Sequence, residues 1–353
     1  MKVLISGNEA IAEGAIQAGC SFYAGYPITP QNEIPAYMSV HMPQAGGVFI
    51  QAESELAAIN MVYGASATGV RSMTSSSSPG VSLKQEGISY IAGAELPAVI
   101  VNIMRGGPGL GNIAPSQSDY FQATHGGGHG DYRLIVLAPA TVQEAYDFMS
   151  LGFSLAEKYR NPAMILGDGM LAQMMEPINI KKSRIKNQKY ARPWALTGCR
   201  GRKPNIVKSF YMQEGDLEKF NLHLQEKYKT IEAQEQRHEG LFLDDAEIVL
   251  VSYGSMSRIA KGAVQRLREK GKKVGLLRPV SLWPFPKKAF GQIRVHPGGR
   301  LKFLVIEMSY GQMLNDVKLA LNCKYPVEFL GRAGGGIPTE DEIIKRTLSL
   351  LSR

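Results

Sequence analysis

Gly47-Val-Phe-Ile-Gln-Ala-Glu-Ser-Glu-Leu-Ala-Ala-Ile-Asn-Met-Val-Tyr-Gly-Ala-Ser-Ala-Thr-Gly69 decides the fold of this chain. Gly47–Ile50 reads as a short β-run. It feeds a helix whose first turn holds Glu53 and Glu55, and whose apolar and small residues Leu56, Ala57, Ile59, Val62 and Tyr63 recur at helical spacing. Gly64 to Gly69 closes the helix with small residues, as a tightly packed helix end requires. A carboxylate in a first turn is ordinary by itself, because the macrodipole and the free N–H groups favour it there.

Outward from this unit the same alternation fills the first 170 residues. Strand-like runs at Lys2–Ser6, Ser21–Tyr26, Arg71–Ser75, Pro97–Met104, Arg133–Leu137 and Ala163–Leu166 alternate with helical patterns. Those patterns fall at Asn8–Cys20, Gln31–His41, Val81–Ala92 and Val142–Lys158. This is the pattern of a doubly wound α/β domain with a mainly parallel sheet, whose ligands gather beyond the carboxyl ends of the strands. A second α/β series begins near Glu247 and ends in a helix from Thr339. The expected division is a first domain over 1–180, a basic and partly helical linker over 181–244, and a second domain over 245–353.

With 353 residues, 44% hydrophobic and 20% charged, the chain has the composition of a globular protein with two cores. No apolar run approaches membrane-spanning length and no leader pattern opens the chain, so a cytoplasmic, non-membrane protein is expected. Cys20, Cys199 and Cys323 are isolated, so neither a zinc site nor an iron–sulfur cluster is expected from this chain alone. The net charge of +9 concentrates in Lys181–Ser209, ten cations without an acid. With few aromatics for base stacking, that run reads as a linker or subunit contact and not as a nucleic-acid surface.

The unusual residues sit at strand ends. Tyr26-Pro-Ile-Thr-Pro30 is a proline-stiffened strand-to-helix turn that either serves rigidity alone or aims the Thr29 hydroxyl at a substrate. Ser75 to Pro79 precedes a helix, so its hydroxyls either cap that helix or touch a ligand. The long glycine-rich loop from Gly106 to Gly130, with Gln117, Asp119, His125 and His129, reads as a lid. Gly126-Gly-Gly128 keeps the two histidines off one helical face, which argues against a metal. Gly109-Leu-Gly-Asn-Ile-Ala114 fits G-x-G-x-x-A but no amphipathic helix follows, so a dinucleotide is not expected. Gly167-Asp168-Gly169 reads as an acidic strand-end turn.

Glu55-Leu-Ala-Ala58, with Gly64 and Gly69 beyond, resembles the pyrimidine-domain helix of thiamin-diphosphate (ThDP) enzymes, which opens with the glutamate that activates the cofactor. Tyr26-Pro-Ile-Thr-Pro30 resembles a signature of the 2-oxoacid:ferredoxin oxidoreductases. So do Gly7-Asn-Glu-Ala-Ile-Ala-Glu-Gly-Ala15, Ser75-Ser-Ser-Ser-Pro-Gly80 and Asn102-Ile-Met-Arg-Gly-Gly-Pro-Gly-Leu-Gly111. The resemblance covers essentially the whole chain. It is strongest to the alpha-type subunit of enzymes acting on branched-chain 2-oxoacids such as 2-oxoisovalerate. Gly254-Ser255, Leu282-Trp-Pro-Phe285 and Gly331-Arg-Ala-Gly-Gly335 resemble the C-terminal domain of transketolase-type enzymes.

The resemblance implies oxidative decarboxylation of a 2-oxoacid with coenzyme A, giving acyl-CoA, carbon dioxide and reduced ferredoxin. Glu55 is then the residue at the cofactor's aminopyrimidine, with Glu53 as the fallback. Thr29 contacts the substrate, and Arg105 faces the oxoacid carboxylate with a planar fork matched to it. Pro27, Ile28, Ser77, Ser78 and His129 are expected beside the cofactor. A diphosphate-binding beta subunit must complete the ThDP site, with Mg2+ and [4Fe-4S] clusters in partner subunits, and gamma and ferredoxin-like subunits are expected too. The alternatives are a 2-oxoglutarate-specific relative and a non-catalytic assembly subunit of the same fold.

Overall fold

The strand Val99–Met104 is apolar but for Asn102 and buried along its whole length, as a central strand covered on both faces must be. Around it the computed structural model, which describes residues 2–180, 192–293 and 301–352, builds three sheets. In chain order the first part comprises β1 (Lys2–Ser6), α1 (Gly7–Gln17), β2 (Phe22–Gly25), α2 (Glu33–Gln44), β3 (Val48–Gln51), α3 (Glu55–Ala67), β4 (Ser72–Ser76), α4 (Ser78–Gly93) and β5 (Val99–Met104). There follow α5 (Tyr120–Thr124), β6 (Ile135–Leu137), α6 (Val142–Tyr159), β7 (Ala163–Asp168), α7 (Gly169–Gln173), β8 (Met175–Asn179) and α8 (Asp216–Gln234). The second part comprises β9 (His238–Leu241), β10 (Ile248–Val251), α9 (Met256–Glu269), β11 (Val274–Pro279), β12 (Ser281–Trp283), α10 (Lys287–Gly291), β13 (Lys302–Glu307), α11 (Gln312–Ala320), β14 (Val327–Gly331) and α12 (Glu340–Leu351).

The large sheet runs β12-β6-β7-β5-β4-β2-β3 and is parallel except for the antiparallel edge strand β12. The second sheet runs β14-β13-β10-β11-β9, parallel except for β9. β1, expected in the main sheet, instead pairs antiparallel with β8 as a separate two-stranded sheet. Capping boxes start α1 (Ser6 with Glu9) and α12 (Thr339 with Glu342), satisfying the free N–H groups of their first turns. α1 crosses α6 so closely that a Cβ on Gly14 would lie 2.4 Å from the Tyr146 carbonyl oxygen.

The division of the chain at 245 is crossed in both directions. β9 precedes that boundary and joins the second sheet, whereas β12 lies beyond it and joins the first. One continuous hydrophobic cluster accordingly includes Ile103 and Val136 of the first sheet together with Val251 and Phe303 of the second. A further cluster lies on the opposite face of the second sheet, between α9 and α12. Of the basic run, residues 181–191 lie outside the described residues. Among the rest, Arg192 pairs with Glu157 on α6, and Arg202 donates to backbone carbonyls of its own segment. Among the described residues, no helix is long and apolar enough to cross a membrane.

Candidate active site

Four neighbouring strands of the large sheet end side by side, in the order β5, β4, β2, β3. Beyond their carboxyl ends come Arg105, Ser76–Ser78, Thr29 and Glu55 respectively. Parallel pairing puts these four ends on one edge, so residues 21 to 76 positions apart in sequence become neighbours.

Glu55 opens α3, behind the N-cap Ser54, whose hydroxyl accepts from Ala57 N. Glu55 is 7% exposed, which places its carboxyl neither in bulk solvent nor in a sealed interior. Glu53 is exposed and precedes the helix, so the fallback register is not the one adopted. No hydrogen bond reaches the Glu55 carboxyl from the described residues. The wall beside it is shaped by Gly80. A Cβ there would lie 2.2 Å from Ser76 Oγ and 2.6 Å from Glu55 Oε1, so only glycine lets α4 approach this closely.

The serine run divides by role. Ser78 Oγ donates to Asp119 Oδ2 at 2.5 Å and accepts from Arg105 N at 3.0 Å. Ser78 therefore braces Arg105 and Asp119. Ser76 and Ser77, in contrast, have buried hydroxyls with no hydrogen-bond partner among the described residues. Asp119 also accepts from Asn102 Nδ2 at 3.0 Å; burial pushes its carboxyl above the usual carboxylate range, and the Ser78 and Asn102 bonds hold it back.

Arg105 is buried, and its guanidinium donates to the Thr29 carbonyl at 3.0 Å and the Leu110 carbonyl at 3.1 Å. Its Nε has no partner, so a side chain with five donors shares only two of them with the protein. The structure thus joins Arg105 to Thr29. The Thr29 hydroxyl is half-buried and accepts from Asn32 Nδ2 at 3.2 Å. Pro27 is exposed and Ile28 half-buried in the same turn, where the Ile28 carbonyl accepts from Gln31 N.

His129 is not brought to this group. It is exposed, its carbonyl accepts from Ser89 Oγ, and its ring meets Tyr90 edge-on near the far end of α4. Twelve residues of α4 separate Ser78 from Tyr90, about 18 Å of helix rise. The loop from Gly106 to Gly130 also departs from the lid expectation. Its middle is strapped to the second part of the molecule: Gln117 bonds Met308 and Tyr253, and Tyr120 OH donates to Asp316 at 2.6 Å. Asp168 is the acidic turn expected, capping α7 through Met170 N and Leu171 N and accepting from Ser255 of the second part.

Two neighbours escaped the sequence reading. Ser76 was hidden in a run of four serines. Lys84 on α4 is fully enclosed and donates to the Glu55 carbonyl at 3.3 Å and Thr74 Oγ1 at 3.1 Å. Burial pushes its ammonium down to about 8, while the Glu55 charge acts in the opposite direction. The available signal was a lone cation between Gly80 and Gly87, on a helix side that packs closely against Ile59 of α3. Around the mouth of the group the helices present exposed apolar side chains, Leu56 on α3 and Leu83 on α4.

Three comparisons with known proteins bear on this arrangement. Residues 13–241 match the family model described as pyruvate flavodoxin/ferredoxin oxidoreductase, thiamine diphosphate-binding, and residues 246–343 match pyruvate:ferredoxin oxidoreductase core domain II. The chain is 51% identical to the ketoisovalerate oxidoreductase subunit VorB of Methanothermobacter marburgensis, over 97% of this chain and 96% of that one. It is 37% identical to the 2-oxoglutarate synthase subunit KorA of Methanothermobacter thermautotrophicus, over 98% of both. Among solved structures, the 2-oxoglutarate:ferredoxin oxidoreductase from Magnetococcus marinus superposes with a TM-score of 0.86 at 29% identity; 99% of this chain spans 65% of that one. A split-gene transketolase shares the fold alone, at a TM-score of 0.60 and 13% identity.

Proposed function

The chain belongs to the 2-oxoacid:ferredoxin oxidoreductase family, and on that premise we propose that it is the subunit presenting Glu55 to the aminopyrimidine of thiamine diphosphate in an enzyme for branched-chain 2-oxoacids. The observation that carries this reading is Glu55 itself: a buried residue at a helix start whose carboxyl has no donor among the described residues, beside two buried serine hydroxyls that also lack partners there. Groups buried unpaired are costly, and two neighbouring serine hydroxyls and Arg105 Nε left so beside Glu55 fit a site completed by a ligand.

The donor set suits the cofactor's pyrimidine half. When bound, thiamine diphosphate supplies the carbanion chemistry that splits a 2-oxoacid. The Glu55 carboxylate would accept a hydrogen bond from, and share a proton with, a ring nitrogen, in a wall where Ser76 and Ser77 offer further hydrogen bonds. Arg105 keeps three N–H donors for the carboxylate of the oxoacid, and its bond to the Thr29 carbonyl sets the substrate-facing threonine beside it.

The chain works in a multi-subunit enzyme. The acidic strand-end turn at Asp168 is already occupied by helix capping and by Ser255, which supports placing the diphosphate and its Mg2+ in a partner subunit. That partner docks on the exposed apolar faces of α3 and α4, where Leu56 and Leu83 lie. Cys20 is buried, and Cys199 and Cys323 are exposed and far apart in sequence, so the [4Fe-4S] clusters that carry electrons to ferredoxin also belong to partners. The overall reaction consumes a 2-oxoacid and coenzyme A and yields acyl-CoA, carbon dioxide and two electrons.

Branched-chain oxoacids are favoured over 2-oxoglutarate by the higher identity to the ketoisovalerate subunit. Assaying the complex with a panel of 2-oxoacids and an artificial electron acceptor tests this. The highest kcat/KM is expected for 2-oxoisovalerate, and a preference for 2-oxoglutarate would overturn the substrate assignment.

A further inference from the structure

Lys84 is a fully enclosed ammonium whose two hydrogen-bond acceptors, the Glu55 carbonyl and the Thr74 hydroxyl, are both neutral. Neutral acceptors do not offset the cost of burying a cation, and an apolar side chain of similar volume would pack there at lower cost. Stability alone therefore gives no reason for the charge. Its surroundings do. Among the described residues, the Glu55 carboxylate on α3 is the charge that acts on Lys84. β4 contributes the Thr74 hydroxyl, β5 carries no ionisable side chain, and on α4 itself Glu86 lies on the exposed side of the helix. Glu55 in turn has no donor among the described residues, and its charge is the one that favours the Lys84 ammonium.

We propose that Lys84 is the positioning residue of Glu55: its ammonium clamps the first turn of α3 through the residue-55 carbonyl and balances the carboxylate that faces the cofactor. The proposal rests on the assignment of Glu55 to the aminopyrimidine. Because burial brings the ammonium down to about 8, the balancing charge is present at neutral pH and is lost as the medium becomes more alkaline. Lys84 then sets the alkaline limb of turnover.

Two substitutions in the assembled complex remove the charge: Lys84→Gln keeps a donor for the carbonyl, and Lys84→Met keeps neither donor nor charge. In both, kcat is expected to fall about tenfold or more with KM for the oxoacid within about twofold, and the wild-type alkaline limb to disappear. Difference infrared spectra of the complex without cofactor give a second readout. At neutral pH, K84Q is expected to gain a protonated-carboxyl band that is absent from wild type and from the K84Q/E55Q double variant. A K84Q complex with the wild-type limb and no such band overturns the proposal. The band without loss of turnover sustains the Lys84–Glu55 pairing and overturns the catalytic assignment of Glu55 instead. Where K84Q alone fails to assemble, the double variant, with neither charge, is expected to regain assembly; its failure too would overturn the pairing.

Discussion

The carboxyl edge of the large sheet and the seam between the two α/β parts both bury polar groups, but they treat them oppositely. At the seam, Gln117 uses all of its hydrogen-bonding groups: its N–H and carbonyl, and its side-chain Oε1 and Nε2, bond Met308 and Tyr253 at 2.9–3.2 Å. Glu307 accepts from Met313 N, Leu314 N and Ser309 Oγ, and Asp168 accepts from Met170 N, Leu171 N and Ser255 Oγ. At the sheet edge, Ser76 Oγ, Ser77 Oγ and Arg105 Nε are buried without partners among the described residues, and the Glu55 carboxyl has no donor among them either. A seam is finished when the chain folds. The seam is not free of unpartnered atoms, Arg278 Nε among them, but its carboxylates are paired within the fold, whereas the candidate site leaves the Glu55 carboxylate without a donor among the described residues.

The sharpest way to break this contrast is Glu55→Ala. It is expected to lower turnover of the assembled complex by about 10²–10⁴-fold, the scale of a lost proton-transfer group, while subunit assembly is retained. Activity and gel filtration check it, and normal turnover would remove the sheet edge as the catalytic site. Next in size is Arg105→Ala, expected to raise KM for the oxoacid about 10–100-fold, as loss of a charged hydrogen-bonding partner does, with a smaller change in kcat. Steady-state kinetics decide, and an unchanged KM would take Arg105 out of the substrate site.

The seam should respond in stability and not in kinetics. Gln117→Ala strands Met308 N and the Tyr253 carbonyl, for an expected loss of about 2–4 kcal/mol in chemical denaturation with KM unchanged. A KM shift as large as that of Arg105→Ala would merge the two regions. The smallest effect is in pH dependence. Burial raises the carboxyls of Asp168 and Glu307, so the folded state binds their protons more tightly than the unfolded chain does. Their stabilising contribution is complete below the unfolded value of about 4 and is lost as pH rises through the raised folded values. Asp168→Asn is therefore expected to flatten the decline of stability with rising pH, measured as denaturation midpoints across that range. Parallel wild-type and variant curves would contradict it.

Local pattern made one half of this comparison legible in the sequence and concealed the other. β3 and α3 announce themselves through a β-run, an N-cap serine and helical spacing, and the site residues follow because parallel strands end on one edge. That Thr29, Glu55 and Arg105 end up on one edge needed only that rule; their roles rest on the motif resemblance. β8 and β12 escaped because short edge strands carrying or abutting proline have no periodicity of their own; Met175–Asn179 and Ser281–Trp283 are defined by the strands they pair with. The loop from Gly106 to Gly130 looked like a lid because the partners that strap it, Tyr253, Met308 and Asp316, lie 136 to 196 residues away. His129 was placed near the cofactor on motif alone, and the length of α4 carries it off. Lys84 was passed over because a single lysine in a helix ordinarily points to water.

The most direct test is a structure of the whole complex with thiamine diphosphate bound. The account predicts the Glu55 carboxyl within hydrogen-bonding distance of the aminopyrimidine ring, with the Ser76 or Ser77 hydroxyl turned toward the cofactor and a partner subunit holding the diphosphate against α3 and α4. A pyrimidine met by Glu53 or by another subunit's carboxylate, with Glu55 still unpaired, would contradict it.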